Sequence, residues 1–505
     1  MEFTDRLLNG LQAGTQTDAL LLIAMGIIIG IVVGAAPGLG PTVGMSLMLP
    51  VAVRLSPENA IFLLASINVG AAYGNSIPAI LLRVPGTPSA LLTVIEGSPF
   101  HERGEGKRAL MISLSSSVIG QLAGVLMFIA FIVPLAEVAV KLLFPETFGI
   151  VVFGIVAATG LVTKAPMKGI AAIMLGLLLA IPGQDAITGQ IRFTFGTSYL
   201  QTGFPTIPVV VGLLAFREVF STAEQRIVDS KAAARQVLGG KTWLSGRDWK
   251  EIALPTAVGT VVGVFIGIVP GAGSAVASFV AYQIAKLVMS KREGWGEGSA
   301  TGLAAVDSSA NSSSAGELIP TLALGIPGAP TMVVIMAALG TQGLFAGPQL
   351  LKSRPDLIYS VFGGLLVGVF ALAIVGYLFI KPSVYISSIS PPVTMSLTLV
   401  LVVVGAFAIR WQMMDVWVCL GAGLLGYLMT RFDYPVAPTA LAFILGGMLE
   451  TSLRRGLVMT QGWEAFLSRP VTLGLLVLSA ITFVGGIVMN VRLARTAEQR
   501  REPAR

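Results

Sequence analysis

Apolar residues recur along the chain in blocks long enough to cross a lipid bilayer. A helical crossing takes about 18 or more consecutive apolar residues, and such blocks occur at 19–36, 110–133, 358–380 and 471–491. Of the 505 residues, 54% are hydrophobic and only 12% are charged, compared with roughly 25% charged residues in soluble domains. The pattern predicts an all-α polytopic membrane protein and excludes a soluble globular enzyme and a disordered chain.

Glycine and proline interrupt the apolar pattern twice in the same way. A GxxxGxxxG helix face that ends in a Pro-Gly-x-Gly turn returns after 233 residues. Internal self-similarity of this kind indicates related structural units. The matching positions are Gly26, Gly30, Gly34, Pro37, Gly38 and Gly40 in the first copy, and Gly259, Gly263, Gly267, Pro270, Gly271 and Gly273 in the second.

Two further blocks repeat in the same order. Residues 76–78 with 85–88 match 318–320 with 327–330, and 204–208 match 434–438. These matches predict two homologous halves joined by a linker and followed by one extra helix. The predicted divisions are a first transmembrane repeat at 1–221, a basic cytoplasmic linker at 222–250, a second repeat at 251–455, and the extra helix with a basic tail at 456–505.

The net charge of +7 is concentrated in two segments. Residues 222–250 contain six Lys and Arg residues, and residues 490–505 contain five. By the positive-inside rule both segments are expected on the cytoplasmic side of the membrane, with the N-terminus outside. Residues 1–18 lack the basic start of a signal peptide, so we interpret the first apolar block as a retained helix. An odd number of crossings in each half would make the two halves inverted repeats.

Several kinds of chemistry are excluded by composition. Cys419 is the one cysteine and His101 the one histidine, so a Cys- or His-based metal site and a histidine-dependent catalytic triad are not expected. His101 lies in a polar stretch and is interpreted as a solvated loop residue. The basic segments lack the interleaved aromatic residues typical of nucleic-acid binding. We therefore expect no catalytic residues, no resident cofactor or metal, and no nucleic-acid partner.

Inverted repeats with paired Gly/Pro interruptions are typical of secondary transporters whose site lies near the bilayer midplane. At 37–42 and 270–275, proline ends a helix and glycine bares backbone amides, which bind anions at helix N-termini. Organic carboxylates are the expected ligands. The alternative is that each turn only caps a packed helix hairpin. A second pair of interruptions, at 85–89 and 327–331, is interpreted in the same way.

Polar residues lie just before the second pair of interruptions in both halves. Hydroxyl, amide and carboxylate oxygens suit a hard cation such as sodium, and Asp307 could carry a proton instead. The alternative is that the serines and asparagines only pack helices together. The residues predicted to form the coupling-ion site are Asn68, Asp307, Asn311 and Ser312.

Arg83 is the one basic residue between Leu55 and Glu96. Ionisable residues in such surroundings are functional candidates, and Arg83 could form a fork with a substrate carboxylate. It could also reach the membrane interface or pair with an acidic residue such as Glu96. The residues predicted to bind the substrate are Gly38, Leu39, Gly40, Pro41, Thr42, Asn75, Arg83, Pro85, Gly86, Thr87, Gly271, Ala272, Gly273, Ser274, Pro327, Gly328, Ala329 and Thr331.

These motifs resemble the TctA family, the large membrane subunit of the tripartite tricarboxylate transporters. The resemblance extends from the first helix to about residue 455 and includes PGLGPT at 37–42, SIPAILLRVPGTPS at 76–89, PGAGS at 270–274 and GELIPTLALGIPGAP at 316–330. It implies a cation-driven symporter for di- or tricarboxylates, a small four-helix membrane subunit and a periplasmic substrate-binding protein as partners. Arg83 and Asp307 depart from the usual family residues, which leaves substrate and coupling ion open.

Other functions remain as alternatives. A stand-alone organic-anion carrier would share every motif but work without partner subunits. An intramembrane transferase would need a catalytic cluster, and no HExxH, Asp-rich pair or GxSxG motif is present. A structural scaffold would leave the paired interruptions unexplained. For a carrier, the paired turns are expected to move together against the flanking helices, as in an elevator, with rocking as the alternative.

Overall fold

The apolar blocks of the chain fold into helices. The computed structural model describes residues 3–36, 39–139, 143–160, 166–185, 187–217, 243–270, 272–289, 294–383 and 391–499. The helices up to the linker are α1 (Phe3–Gly14), α2 (Thr17–Ala35), α3 (Pro41–Ala52), α4 (Pro57–Gly74), α5 (Ser76–Leu82), α6 (Leu91–Glu102), α7 (Gly106–Ala139), α8 (Phe144–Gly160), α9 (Pro166–Ala180) and α10 (Thr206–Val211), with 3₁₀ turns at Pro88–Ala90 and Ser198–Thr202.

The chain after the linker is also made of helices. They are α11 (Gly246–Ile268), α12 (Gly273–Val288), α13 (Ala300–Gly316), α14 (Leu318–Leu324), α15 (Pro330–Thr341), α16 (Pro348–Ser353), α17 (Pro355–Phe379), α18 (Pro391–Arg410), α19 (Met413–Arg431), α20 (Val436–Thr460), α21 (Trp463–Leu467) and α22 (Pro470–Gln499).

The predicted fold class is confirmed. Within the described ranges, seven helical segments are long and apolar enough to cross a membrane, and α2, α7 and α17 among them coincide with predicted apolar blocks. The protein is therefore an all-α polytopic membrane protein. Two small features were not predicted from the sequence: the amphipathic helix α1, and an antiparallel hairpin of β1 (Gly183–Gln184) and β2 (Ile191–Arg192).

Helices succeed one another in the same order in α2 to α6 and in α11 to α15. In both series the first long helix packs along the third, α2 on α4 and α11 on α13. The glycine faces permit this approach: a Cβ added at Gly30 would overlap the carbonyl oxygen of Ile67, and one at Gly263 would overlap that of Ser309. Backbone contact is thus built into both pairs. The inverted orientation of the two halves stays a prediction.

The remaining helices surround these two series. Helix α7 packs against α13, α1 against α17, α9 against α20, and α8 against α22. Helix α11 begins at Gly246, inside the predicted linker, because Ser245 and Asp248 form a reciprocal capping box. Residues 218–242 of the predicted linker and 500–505 of the predicted basic tail lie outside the described residues.

Candidate functional site

Each half contains a long helix whose regular hydrogen bonding is interrupted by one residue at an equivalent position. Helix α4 gives way to α5 at Asn75, and α13 gives way to α14 at Glu317; both residues have φ −60° and ψ −27°. The cause lies three residues further on. Pro78 and Pro320 have no amide hydrogen to donate to the carbonyl four residues earlier, so the helix cannot continue unchanged.

The two short helices α5 and α14 also end alike. Their last turn closes when the amide of Val84 donates to the carbonyl of Pro78 and the amide of Ile326 donates to that of Pro320. The residue after each helix is left-handed: Arg83 has φ 58° and Gly325 has φ 73°. The matched prolines therefore produce matched half-helices, each followed by a Pro-Gly turn.

In the first half, the turn folds back over Asn75. A Cβ added at Gly86 would lie 2.8 Å from Oδ1 of Asn75 and 3.2 Å from the carbonyl oxygen of Gly34, so only glycine fits there. A Cβ added at Gly40 would lie 3.1 Å from Cγ2 of Thr87, which brings the two interruptions of this half together. We name Gly40, Thr42, Asn75, Gly86 and Thr87 the first half-site.

In the second half, the equivalent turn folds back over Glu317. A Cβ added at Gly328 would lie 2.7 Å from Cα of Glu317. The hydroxyl of Thr331 donates to Oε2 of Glu317 at 3.3 Å, and the backbone amide of Ser274 also hydrogen-bonds to this side chain. We name Ser274, Glu317, Gly328 and Thr331 the second half-site.

The halves contact each other around these half-sites. Helix α3, which follows the first interruption of the first half, packs against α15 of the second half. Reciprocally, α12 packs against the 3₁₀ turn at Pro88–Ala90. Of the predicted substrate residues, Gly38 and Gly271 lie outside the described residues. Leu39, Gly40, Pro41, Thr42, Pro85, Gly86, Thr87, Gly273 and Ser274 are half-buried, and Asn75, Ala272, Pro327, Gly328, Ala329 and Thr331 are buried.

Asp307 of α13 joins the two halves. It is buried, and its Oδ1 accepts hydrogen bonds from Ser76 of α5 at 3.1 Å and from Thr93 of α6 at 2.8 Å. The Ser113 hydroxyl also reaches this carboxyl group, and Oδ1 of Asn311, one helical turn further on, has no hydrogen-bond partner among the described residues. A buried carboxyl group and an amide oxygen without a donor are ligands that suit a cation, so a coupling-ion site here stays a prediction with a chemical basis.

Other polar residues of α13 serve packing. Ser312 donates to the carbonyl of Thr260 in α11 at 3.1 Å, and Ser309 donates to Val306 within its own helix at 2.8 Å. Both hydroxyls are buried and satisfied at the interface with the glycine face of α11. Ser312 therefore fits the packing interpretation. Asn68 is buried on α4, and its part in a coupling-ion site stays a prediction.

Arg83 lies at the surface of the described structure. Its side chain is 63% exposed and forms an ion pair with Glu102 at 2.7 Å, and its Nε donates to Ser98 at 3.2 Å. The acidic partner of Arg83 is thus Glu102, at the end of α6, and not Glu96. Its contact with a substrate carboxylate stays a prediction.

Two buried carboxyl groups were not recognised as site residues from the sequence, Glu317 and Glu96. Matching 76–78 with 318–320 would have placed Glu317 opposite Asn75. Glu96 is fully buried in α6 and accepts from the hydroxyl of Tyr282 and from the backbone amides of Gly296 and Ser299. No spacing in the sequence indicates these three donors, which lie far from Glu96 along the chain.

Comparisons with known proteins identify a family and two relatives. The family model described as "Tripartite tricarboxylate transporter TctA family" matches residues 20–441. An uncharacterized 52.8 kDa protein in the TAR-I ttuC' 3' region of Agrobacterium vitis is 32% identical over 453 residues, which are 89% of each chain. A second protein of that organism, in the TAR-II ttuC' 3' region, is 29% identical over 215 residues, covering 42% of this chain and 89% of the relative.

No solved structure matches the chain. The family match extends over most of the chain and includes both half-sites and Asp307. The chain belongs to the tripartite tricarboxylate transporter TctA family.

Proposed function

We propose that this membrane protein is the large transmembrane subunit of a secondary active transporter that imports organic carboxylate anions. The observation that carries the proposal is the pair of short helices α5 and α14, each of which ends in a left-handed residue and a glycine turn that folds back over a buried polar residue, Asn75 or Glu317. A broken helix inside an apolar chain is tolerated where it lines a cavity or a site. Exposed amides and hydroxyls at such breaks are suited to carboxylates.

The driving force is proposed to be a gradient of sodium or protons. Asp307 supports this because it is a buried carboxyl group whose described neighbours Ser76 and Thr93 are uncharged. A buried carboxylate without a cationic neighbour is costly unless a cation or a proton neutralises it. Asp307→Asn is expected to change the cation dependence of uptake more than the apparent affinity for the substrate.

The remaining features of the proposal come from the sequence and the family. They are a small four-helix membrane subunit, a periplasmic binding protein that delivers the substrate, and a bacterial inner-membrane location with the linker and the C-terminus in the cytoplasm. Di- and tricarboxylates as substrates, and an elevator-like movement of the half-sites, also belong to it. The family name supports the tripartite arrangement.

Reconstitution tests the transport function. The purified protein would be placed in proteoliposomes with the small subunit, and candidate binding proteins and labelled carboxylates would be added under an imposed sodium or proton gradient. Uptake that requires both the gradient and a binding protein is expected. Full-rate uptake of micromolar substrate without a binding protein would favour a stand-alone carrier, and no uptake of any carboxylate would contradict the proposal.

Accessibility of single cysteines tests the orientation. With Cys419 replaced by alanine, Ser230→Cys and Ala497→Cys are expected to resist an impermeant thiol reagent applied from the periplasmic side. Both should react after the membrane is opened. Labelling of either position in intact cells would overturn the proposed topology.

A further inference from the structure

Asn75 carries a buried acceptor atom that no donor reaches. Its side chain is 3% exposed, and its amide oxygen Oδ1 has no hydrogen-bond partner among the described residues. A polar atom buried without a partner is costly. An ionised carboxylate only accepts hydrogen bonds and cannot relieve that cost, whereas a cation can.

A second acceptor faces the same space. The carbonyl oxygen of Gly34 lies in the last turn of α2, where carbonyl groups lack partners within the helix. The amide of Ala36, which closes that turn, donates to the two carbonyls before that of Gly34. A Cβ added at Gly86 would lie 2.8 Å from Oδ1 of Asn75 and 3.2 Å from the Gly34 oxygen. Glycine at position 86 therefore leaves room beside two acceptor oxygens.

The second half satisfies the corresponding position with hydrogen bonds. Glu317 takes the place of Asn75, and its carboxyl group accepts from the backbone amide of Ser274 and from the hydroxyl of Thr331. The unpartnered acceptor is thus a property of the first half-site and not of the shared backbone pattern. This difference indicates a positively charged ligand in the first half-site.

The surroundings indicate which cation suits the place. Amide and carbonyl oxygens are ligands of hard cations, and the C-terminal end of α2 adds the negative end of a helix dipole. Both oxygens are neutral, so a buried monovalent charge is less costly there than a divalent one. Room for one added carbon atom suits sodium better than the larger potassium ion. Ends of interrupted helices coordinate sodium in secondary transporters.

We propose that the first half-site binds a sodium ion between Oδ1 of Asn75 and the carbonyl oxygen of Gly34, beneath the turn that contains Gly86. This is a second cation site beside the one predicted at Asp307, whose partner Ser76 follows Asn75 in the chain. The inference rests on the proposed function and deepens it, because the bound sodium then attracts a carboxylate of the substrate to the same half-site. Sodium and carboxylate each strengthen the binding of the other.

Sodium binding to the purified full chain in nanodiscs tests the site without any substrate. Thermal stabilisation would be measured as sodium chloride replaces choline chloride at constant ionic strength, with potassium chloride as a second series. Every protein compared carries Asp307→Asn, so that a cation bound at Asp307 does not contribute. Saturable stabilisation by sodium is expected, with weaker binding of potassium.

Variants of the two residues that line the space identify the site. Loss of even an outer partner of a metal site costs about 10–100-fold in affinity. Asn75→Leu keeps the size of the side chain but removes the oxygen, so it should raise the Kd for sodium by about tenfold or more. Gly86→Ala fills the space and should also weaken sodium binding. Gly340→Ala is the matched control, because a Cβ there meets no atom within 4 Å.

Asn75→Asp keeps the test decisive if Asn75→Leu does not fold. It supplies a charged oxygen at the same place and should bind sodium several-fold more tightly. A sodium Kd that is the same with Asn, Leu or Asp at position 75 would overturn the inference, as would the absence of saturable sodium binding. Potassium binding as tight as that of sodium would overturn the assignment of the ion.

These failures are distinguishable from a failure of the proposed function. Carboxylate uptake in proteoliposomes by a protein without the Asn75 sodium site would contradict only the inference. Sodium binding that depends on Asn75, together with no uptake of any carboxylate, would contradict the proposed function and leave the cation site standing.

Discussion

The two helix series α2 to α6 and α11 to α15 follow the same order and differ in side-chain chemistry where they meet the candidate site. Helix α6 of the first half is held by the loop before α13, where Glu96 accepts the amides of Gly296 and Ser299. In the other direction, α15 of the second half ends beside the loop before α4, where Gln342 donates to the carbonyl of Leu55 at 3.0 Å. Each half therefore contributes one side chain that hydrogen-bonds to the backbone of the other half. In the first half it is the acidic side chain of Glu96, and in the second half it is the amide side chain of Gln342.

This difference indicates which properties the repeated pattern controls. Glycine and proline positions are matched, so the helix breaks and the close helix pairs are matched too. Charged residues are not matched: Glu317 stands opposite Asn75, and the position opposite Glu96 is the buried Ala338. The backbone provides two equivalent places, and side chains make one of them acidic.

The largest loss of folded protein is expected from variants that keep the paired helices from packing closely, α2 with α4 and α11 with α13. In Gly30→Val and Gly263→Val the new side chain would overlap backbone of the neighbouring helix, which cannot move aside, so both variants should lose nearly all monodisperse protein. Gly421→Val and Gly474→Val serve as controls because an added Cβ there meets no atom within 4 Å. Size-exclusion chromatography after detergent extraction measures the outcome. If only one of the two pairs is sensitive, the halves are not packed equivalently.

A smaller but clear effect is expected at the two contacts between halves. Glu96→Gln weakens three buried hydrogen bonds to a carboxylate and should cost about 1–3 kcal/mol of stability. Gln342→Ala removes one bond to a carbonyl and should cost about 0.5–1.5 kcal/mol. Thermal unfolding of the purified variants compares them. An equal loss in both would show that the carboxylate has no special part in holding α6.

The smallest effect is expected at Arg83. Its ion pair with Glu102 is largely exposed, with 63% and 49% of the two side chains accessible, and such pairs contribute about 0–1 kcal/mol. Glu102→Gln should therefore leave stability within about 1 kcal/mol of the wild type. If Arg83 also binds the substrate, Arg83→Gln will weaken uptake while Glu102→Gln will not. Equal uptake by both variants would limit Arg83 to the surface ion pair.

Sequence patterns predicted the parts of this structure that depend on local chemistry. The apolar blocks became α2, α7 and α17, and the turns predicted at 85–89 and 327–331 follow the ends of α5 and α14, because proline and glycine act within one turn. Glu96 and Glu317 were missed as site residues because their donors come from other elements. Tyr282 and Gly296 are 186 and 200 residues from Glu96, and Ser274 precedes Glu317 by 43. Such neighbours are determined by packing and not by local periodicity.

The central claim is that a carboxylate binds at the first half-site, and cysteine protection tests it most directly. In a Cys419→Ala background, the alkylation rate of Thr87→Cys would be measured with and without a carboxylate that supports uptake in proteoliposomes. Thr197→Cys, at an exposed loop position, is the control. We predict that the carboxylate slows alkylation at residue 87 several-fold and leaves residue 197 unaffected. Equal rates at residue 87 with and without a transported carboxylate would contradict the account.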